Sequence, residues 1–226
     1  MKVLAFGAHP DDIEIGCGGT IAGLVAKGFE VHHALLTSGD AGSQSISRND
    51  LAEIREREAS ASAEILGSHS VHFLREPDGL TTFRRETKIR IITLVRTVRP
   101  TLLFVHGPSD QFPDHKLCHQ LVMDALLGAK GPWYQECQLP AHQPGLVLGY
   151  EVWNPIAKPQ LLVPIDIEPK LRALRKHESQ LAGIRYDDAF EGLARYRGSL
   201  SGTARFAEAF EILALQPSVD LHHYFT

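Results

Sequence analysis

Short, almost wholly apolar runs alternate along the chain with longer segments in which apolar residues recur every three or four positions. Runs of the first kind are typical of strands buried on both faces of a parallel sheet, and the longer spacing is typical of helices that cover such a sheet. The predicted strands are 2–8, 29–37, 70–74, 101–106, 145–153 and 159–167. The predicted helices are 18–28, 51–67, 86–100 (ending before Pro100), 113–127 and 168–183.

The alternation of predicted strands and helices indicates an α/β fold. With right-handed crossovers, this pattern builds a Rossmann-like, mostly parallel sheet flanked by helices. The chain has 226 residues, which suits one sizeable core, and it shows no internal repeat, low-complexity tract or linker. We therefore expect a single domain over residues 1–226.

Glycine and polar residues mark the boundaries of several predicted elements. Gly28 and Gly67 each suit the left-handed turn that ends a helix. Asn49 and Asp50 precede the second of these helices, and either suits its N-cap. The segment 128–145 is predicted to be a loop that shapes the rim of a ligand pocket.

Composition and charge exclude several classes of function. The chain holds 23 basic and 27 acidic residues, so no excess of positive charge attracts nucleic acid or an anionic membrane. No apolar run approaches the roughly 18 residues that span a bilayer, and the first residues become acidic too early for a signal peptide. The three cysteines lack paired-motif spacing, which favours a reducing cytoplasm over a disulfide framework.

Metal-binding side chains follow two of the predicted strands. The segment His-Pro-Asp-Asp, 9–12, comes after the first strand, and 107–115 comes after the fourth. Because ligands of such sheets bind outside the carboxyl ends of the strands, both segments are expected at one edge. His9 and Asp12 are close enough in a stiff turn to clasp one ion, and His115 is the best-placed third ligand for a zinc ion with an open position.

Asp11 lies between the two neighbouring ligands and is then free to act as a general base. Zinc lowers the pKa of a bound water to about 7, so a carboxylate beside the ion can take the proton at neutral pH. The simpler interpretation of these acids is that they cap the following helix.

Two other chemical interpretations compete with this site. His115 and His119 have a spacing that places both on one helical face, where they could hold a metal by themselves. The glycines of "GCGGTIAG", 16–23, resemble a phosphate-binding turn, but Ile21 stands where the last glycine of that motif is required. We expect these glycines to let the helix pack close to the sheet.

Several segments of the chain resemble the PIG-L/LmbE-like zinc N-deacetylases. The most specific is "AHPDDIEIGCGGTIA", which is similar to the family's Ala-His-Pro-Asp-Asp-Glu hallmark with Ile13 as a one-residue departure. The others are "IREREASASAEILG", "FPDH", "LRALRKHESQ" and "ARYRGSLSGTARFAEAFE". Within the family, the chain looks most similar to the bacillithiol-biosynthesis branch, which deacetylates N-acetylglucosaminyl-malate.

The resemblance implies a role for several residues. It implies zinc on His9, Asp12 and His115, with Asp11 as the base. It also implies that Arg55 reaches the substrate from the second helix, where a surface arginine is the simpler interpretation. His177 stands at a matching place as a second substrate-binding residue, although a structural histidine is equally consistent with its helix. Family members assemble as trimers or hexamers, so the resemblance implies a homo-oligomer.

The segment 112–115, Phe-Pro-Asp-His, departs from the family pattern, which is His-Pro-Asp-His. Phe112 replaces the histidine that helps to stabilise the tetrahedral intermediate, and Asp114 stands at the place of the catalytic aspartate that orients it. Losing one such donor costs about 3–4 kcal/mol of transition-state stabilisation. Either zinc alone polarises the carbonyl, or another donor such as His106 or His177 takes this part, or the enzyme is slow.

Two consequences of this departure concern neighbouring residues. Asp114, without its usual partner, is expected to accept a hydrogen bond from His115. Gln111 stands where the bacillithiol branch often has an arginine suited to the malate carboxylate, which disfavours malate as the aglycone.

The expected function is the zinc-dependent removal of an acetyl group from an N-acetylglucosamine-containing conjugate. Asp11 takes a proton from the attacking water and passes it to the departing amine, which yields acetate and a free amino sugar. Two alternatives remain open. One is a zinc deacetylase of another N-acyl amino sugar or an antibiotic, and the other is a sugar- or nucleotide-binding protein without catalysis, which Phe112 favours.

Overall fold

The computed structural model describes residues 1–79, 82 and 84–225, and strands alternate with helices along most of this length. The strands are β1 Lys2–Gly7, β2 Glu30–Thr37, β3 Ser70–Glu76, β4 Leu102–His106, β5 Leu146–Tyr150, β6 Leu161–Pro164 and β7 Ala207–Leu215. The helices are α1 Asp12–Ala26, α2 Arg48–Leu66, α3 Arg85–Val98, α4 Pro113–Ala129, α5 Ile167–Leu174, α6 Glu178–Leu181, α7 Tyr186–Ser201 and α8 His222–Phe225.

The seven strands form one sheet in the order β3-β2-β1-β4-β5-β7-β6. The five strands from β3 to β5 are parallel, and β7 runs antiparallel to both of its neighbours. The predicted α/β fold with a mostly parallel sheet flanked by helices is confirmed. The sequence pattern predicted neither α7 nor β7, which follow the last predicted helix, and it did not indicate the antiparallel direction of β7.

Each face of the sheet packs against its own set of helices. Successive side chains of β1 alternate between the two faces, with Val3 and Ala5 in one core and Leu4 and Phe6 in the other. Helices α1, α2, α5 and α7 cover the first core, while α3 and α4 cover the second. The buried strands are therefore apolar on both sides, which is why they appear in the sequence as continuous apolar runs.

Helix α1 begins six residues earlier than the apolar pattern predicts. Asp11 precedes it with φ 109°, and Cys17 interrupts it with φ −146°. The kink at Cys17 leaves the backbone N–H groups of the next turn without helical partners. The Glu208 carboxylate accepts hydrogen bonds from two of them, Gly19 N at 2.9 Å and Thr20 N at 2.7 Å. An internal carboxylate thus occupies the anion position that the glycine motif resembles.

The glycines of this helix permit close packing, as the sequence predicts. A Cβ atom on Gly16 would clash with the ring of Tyr150, and one on Gly19 would clash with Ile165. The Tyr150 hydroxyl passes beside the helix and donates to the Phe6 carbonyl at 2.6 Å. The helix can therefore lie directly against β5.

The structure corrects some predicted boundaries and confirms others. Gly28 and Gly67 have φ of 83° and 74° at the ends of α1 and α2, as expected for helix-terminating glycines. The N-cap of α2 is Ser47, whose hydroxyl accepts from Asp50 N, and neither Asn49 nor Asp50 holds that position. The predicted helix 168–183 is two helices, α5 and α6, separated by a turn that ends at His177.

The loop after α4 does not form the rim of the main cavity, contrary to the prediction for 128–145. The buried guanidinium of Arg96 donates instead to six backbone carbonyls in this part of the chain, those of Gly128, Ala129, Gly131, Trp133, Tyr134 and Leu139. These bonds tie the loop to α3 on the side of the second core. In the part of the chain that the structure describes, none of the helices is both long and apolar enough to cross a membrane.

Candidate metal centre and active site

The two segments predicted to hold a metal lie side by side at the carboxyl edge of the sheet. Strand β1 pairs in parallel with β4, so the residues that follow these strands leave the sheet next to each other. Candidate ligand atoms of His9, Asp12 and His115 all lie within 4.8 Å of one another. Although more than one hundred positions separate the first and third of these residues in sequence, the structure brings the three together.

His115 is oriented as a metal ligand would be. Its Nδ1 lies 2.9 Å from Asp110 Oδ2, while its Nε2 points at Asp12, 3.3 Å from Oδ1. That Nε2 is buried and has no hydrogen-bond partner among the residues that the structure describes. A carboxylate on one imidazole nitrogen, with the other left free, is the arrangement that proteins use to aim a histidine at a cation. The donor set therefore fits a divalent metal.

The expectation that Asp114 would hold the ring of His115 is wrong, because Asp110 occupies that place. Asp114 Oδ2 lies instead 3.1 Å from Nε2 of His9, and Asp78 Oδ1 lies at the same distance from that nitrogen. Neither Asp110 nor Asp78 is among the site residues that the sequence predicts. Asp78 follows the carboxyl end of β3, which is at the same edge of the sheet, and this position was the signal that could have identified it.

Asp12 is held as an anion by the groups around it. Its Oδ2 accepts a hydrogen bond from His9 N at 2.7 Å and lies 3.1 Å from His106 Nε2. Burial alone would raise the pKa of Asp12, but His115 and His106 lower it well below its usual range. The ring of His106 also stacks on that of His115 with centroids 4.0 Å apart. His106 therefore packs against both Asp12 and His115 and helps to fix their positions.

The protonation of His115 depends on the same carboxylates. Burial alone would lower the pKa of His115, but the charges of Asp12 and Asp110 raise it to about 9. A cation at this centre would thus compete with a proton for the imidazole, because a metal ligand must be neutral histidine.

Asp11 lies beside the three ligands without belonging to the group. Its Oδ2 accepts a hydrogen bond from Arg55 Nη2 at 3.2 Å, and the same guanidinium donates to the carbonyls of Pro10 and Gly39. Burial raises the pKa of Asp11 to about 6, against the opposing charge of Arg55. The predicted base is therefore a buried carboxylate. Arg55, predicted to reach the substrate, has its guanidinium bound to the turn that carries Asp11.

Neither histidine proposed as a substitute for the donor lost at Phe112 lines the cavity. His177 is fully buried with Nε2 3.5 Å from Glu14 Oε2, and within the described part of the chain neither of its ring nitrogens has a hydrogen-bond partner. Burial alone would lower the pKa of His177, but Glu14 raises it. His106 is fully buried beneath Asp12.

The alternative metal pair His115 and His119 is not formed. The Nδ1 of His119 lies 2.8 Å from the carbonyl oxygen of His106, which ties α4 to the end of β4. Among the described residues, none of the three groups that could hold a metal includes His119.

A cavity of about 510 Å³ opens above the metal centre. Asp11, Asp12 and His9 lie at its base, and the loops after several strands form its walls. Pockets of this volume accommodate small-molecule ligands.

Comparison with known proteins shows the family. The model of the PIG-L family, described as GlcNAc-PI de-N-acetylase, matches residues 4–126. Diacetylchitobiose deacetylase of Thermococcus kodakarensis is 34% identical over 98% of this chain and 85% of its own length. The structure of N,N'-diacetylchitobiose deacetylase from Pyrococcus horikoshii has a TM-score of 0.84 at 28% identity, over 97% of this chain and 88% of that one. A 4-oxalmesaconate hydratase of Pseudomonas putida is 29% identical over 59% of this chain and 55% of its own length.

These comparisons confirm the likeness inferred from the hallmark segment and the prediction of a metal-dependent N-deacetylase. The narrower likeness to the bacillithiol branch stays a prediction. With a family model that covers more than half of the residues, and a relative that aligns along nearly all of them, the chain belongs to the PIG-L family of de-N-acetylases.

Proposed function

We propose that this protein is a zinc-dependent hydrolase that removes the acetyl group from an N-acetylglucosamine-containing conjugate. The observation that carries the proposal is the position of Asp11, a buried carboxylate beside three metal-ligating side chains at the base of a sugar-sized cavity. A general base next to a metal centre is the arrangement needed to activate water against an amide.

His9, Asp12 and His115 would hold the cation. Two imidazoles and one carboxylate are a donor set found in catalytic zinc sites, which leave one position open. When bound, the cation supplies Lewis-acid activation of the water and of the amide carbonyl. The unpartnered Nε2 of His115 supports this assignment.

Asp11 carries the proton through both halves of the reaction. It accepts the proton of the attacking water and then donates it to the nitrogen of the departing amine, so the carboxylate is regenerated. A pKa of about 6 suits this task, because the group is mostly ionised at neutral pH and still holds a proton readily. Arg55 acts as a positioning residue, because its guanidinium holds the Asp11 carboxylate in place.

We assign to Tyr186 the donor role that Phe112 cannot perform. The cavity-lining side chains that carry a donor include Trp153, Gln180 and Tyr186. Burial, and then the charge of Asp11, raise the pKa of Tyr186, so its hydroxyl stays protonated at neutral pH. A hydroxyl there can donate to the oxygen that becomes negative during the attack.

The proposal is tested by metal analysis combined with an acetate-release assay. We expect purified protein to contain about one zinc per chain, and to release acetate from N,N'-diacetylchitobiose or another N-acetylglucosamine conjugate. Treatment with a chelator should abolish release, and added zinc should restore it.

Three results count against the proposal. The first is a lack of acetate from any N-acetyl sugar despite bound zinc and measurable sugar binding, which would indicate a binding protein. The second is hydration of 4-oxalmesaconate without deacetylation. The third is release of acetate only from an N-acyl antibiotic.

Two further expectations remain proposals. We propose that the protein assembles as a trimer or hexamer and works in the cytoplasm. Sedimentation of the purified protein tests the first, and fractionation of the source cells tests the second.

A further inference from the structure

Two large aromatic side chains are exposed on the wall of the cavity. Phe112 is 44% exposed and Trp153 is 41% exposed, and both line the space above the metal centre. Phe112 follows β4 and Trp153 follows β5, which are adjacent parallel strands. The two residues are therefore on neighbouring loops at the same edge of the sheet.

Contacts between the loops hold this wall in place. The backbone N–H of Gln111 donates to the Asn154 side-chain oxygen at 2.8 Å, which joins the loop of Phe112 to that of Trp153. The indole ring of Trp153 contacts Tyr186 edge-on, with centroids 5.4 Å apart, and lies 5.8 Å from Phe190. Tyr186 and Phe190 therefore support part of the Trp153 ring, and the rest of the ring is exposed at the cavity.

A buried ion pair fixes both ends of the loop that carries Trp153. Arg197 donates to the two carboxylate oxygens of Glu151 at 2.9 and 2.6 Å, and to the Ile156 carbonyl at 2.7 Å. The backbone N–H of Ile156 donates back to Glu151 at 2.6 Å. The loop 151–156 is thus closed on itself, and its tryptophan is preorganised for binding.

The described side chains that line the cavity offer no free cation to an anionic group on the substrate. Four aspartates line it, namely Asp11, Asp12, Asp78 and Asp114. Among the lining residues that the structure describes, the basic side chains are His9 and Arg55, and the guanidinium of Arg55 is bound to Asp11 and two carbonyls. The Gln111 side chain donates to Ser109 O. A carboxylate or phosphate on the substrate would find no free cationic side chain in this part of the site.

We propose that the substrate carries a neutral sugar ring next to its N-acetylglucosamine, and that this ring stacks on Trp153. This proposal rests on the proposed function and specifies its substrate class. The face of an indole is electronegative and apolar, so it attracts the C–H face of a pyranose ring. An anionic aglycone such as malate has no ring to stack on Trp153, and the described lining residues offer its carboxylates no free cationic side chain.

The test compares three substrates in the zinc-loaded enzyme: N,N'-diacetylchitobiose, methyl N-acetylglucosaminide and N-acetylglucosaminyl-malate. We expect kcat/KM for the disaccharide to exceed that for each of the others at least tenfold. In Trp153→Ala, the preference for the disaccharide over the methyl glycoside should fall about tenfold, mainly through KM. Trp153→Phe should keep most of it, because a smaller aromatic face remains.

Trp133→Ala is the matched control, because Trp133 is 58% exposed and lies outside the cavity. It should leave the disaccharide preference unchanged. The proposal is overturned if the malate conjugate is the better substrate of the wild-type enzyme, or if Trp153→Ala leaves the preference intact. A lack of acetate from all three substrates would instead count against the proposed function.

A binding measurement keeps the test valid if Trp153→Ala folds poorly. In Asp11→Asn carrying Trp133→Phe, N,N'-diacetylchitobiose should change the tryptophan fluorescence, because the only other tryptophan is Trp153. A fluorescence that does not change while calorimetry detects binding would place the second ring away from Trp153 and overturn the proposal.

Discussion

The guanidinium of Arg55 binds the Asp11 side chain at 3.2 Å and donates to the neighbouring carbonyl of Pro10. One residue of α2 thus holds both the side chain and the backbone of the turn that carries the base. Asp11 has φ 109°, a backbone conformation that residues other than glycine rarely adopt. Strain of this kind costs about 1–3 kcal/mol and persists only where the surroundings hold it.

Asp11→Asn should abolish most of the activity without unfolding the protein. An amide cannot take a proton from water, so we expect kcat for acetate release to fall at least about a hundredfold. Asparagine tolerates a positive φ, and the raised pKa of Asp11 means that the folded state disfavours its charge. We therefore expect the lost ion pair with Arg55 to be offset and Tm to change little. Zinc content should remain that of the wild type. A variant that retains full kcat would show that another group is the base.

Arg55→Lys should lower kcat although it keeps the charge. A lysine ammonium cannot bond at once to the Asp11 carboxylate and to the Pro10 and Gly39 carbonyls, which the planar guanidinium does. We expect a loss of about 10–100-fold, measured as kcat at saturating substrate. Arg57→Lys, on an exposed part of the same helix, is the control and should change nothing. An equal effect of both changes would argue against positioning by Arg55.

Tyr186→Phe should reduce kcat by about a hundredfold with little change in KM, because a donor to the developing oxyanion acts mainly in the transition state. The ring, and its edge-on contact with Trp153, is retained in this variant. Tyr196→Phe is a suitable control, since Tyr196 is exposed on the same helix. If kcat is unchanged, the donor that replaces the family histidine lies elsewhere.

Glu208→Gln should destabilise the fold rather than alter the chemistry. Glu208 binds Lys170 Nζ at 2.7 Å and caps the broken turn of α1, and both side chains are almost fully buried. Breaking a buried ion pair by removing one partner costs about 3–5 kcal/mol. For a chain of this size, that loss lowers Tm by roughly 6–20 °C.

Two comparisons separate this effect from a general loss of surface charge. Glu191→Gln removes a surface pair with Arg195 and should change Tm by less than about 2 °C. The double change of Lys170→Met with Glu208→Gln should recover part of the loss, because no buried charge is then left alone. If the Tm of Glu208→Gln is within one degree of the wild-type value, Glu208 does not stabilise the broken turn of α1.

Protonation of His33 should lower the free energy of unfolding as the pH drops below about 6.5, whereas His115 and His177, whose pKa values are raised in the folded protein, act in the opposite direction. Burial lowers the pKa of His33, and it does the same to those of His32 and His72. The unfolded chain binds protons at these histidines near pH 6.5, whereas the folded chain does so only at lower pH. At these three histidines, low pH therefore favours the unfolded state.

The measurement is the free energy of unfolding between pH 7.5 and 5 in the presence of a chelator. His33→Gln should reduce its slope below pH 6.5 by up to about 1.4 kcal/mol per pH unit, the value for one proton. His69→Gln changes an exposed side chain and should have a smaller effect. A slope for His33→Gln equal to that of the wild type would refute this explanation.

Much of the fold and of the metal centre could be predicted because the signals are local. The strand and helix periodicities lie within short windows, and His9 and Asp12 occupy one turn. The rule that ligands bind at the carboxyl ends of parallel strands then placed His115 beside them. The same rule applied to β3 would have pointed to Asp78. Asp110 was missed for another reason, because spacing along a loop does not determine which of several carboxylates faces a given imidazole.

The amino-acid sequence by itself determined the α/β architecture, the family and the three residues suited to hold a metal, since these depend on patterns and motifs of neighbouring residues. Only the tertiary structure decided how those residues are used. It paired Asp110 with His115, placed Arg55 on Asp11, and brought Glu208 to Gly19 across 189 positions. Contacts of this kind depend on the direction of side chains and on the packing of distant elements, which a linear pattern does not encode.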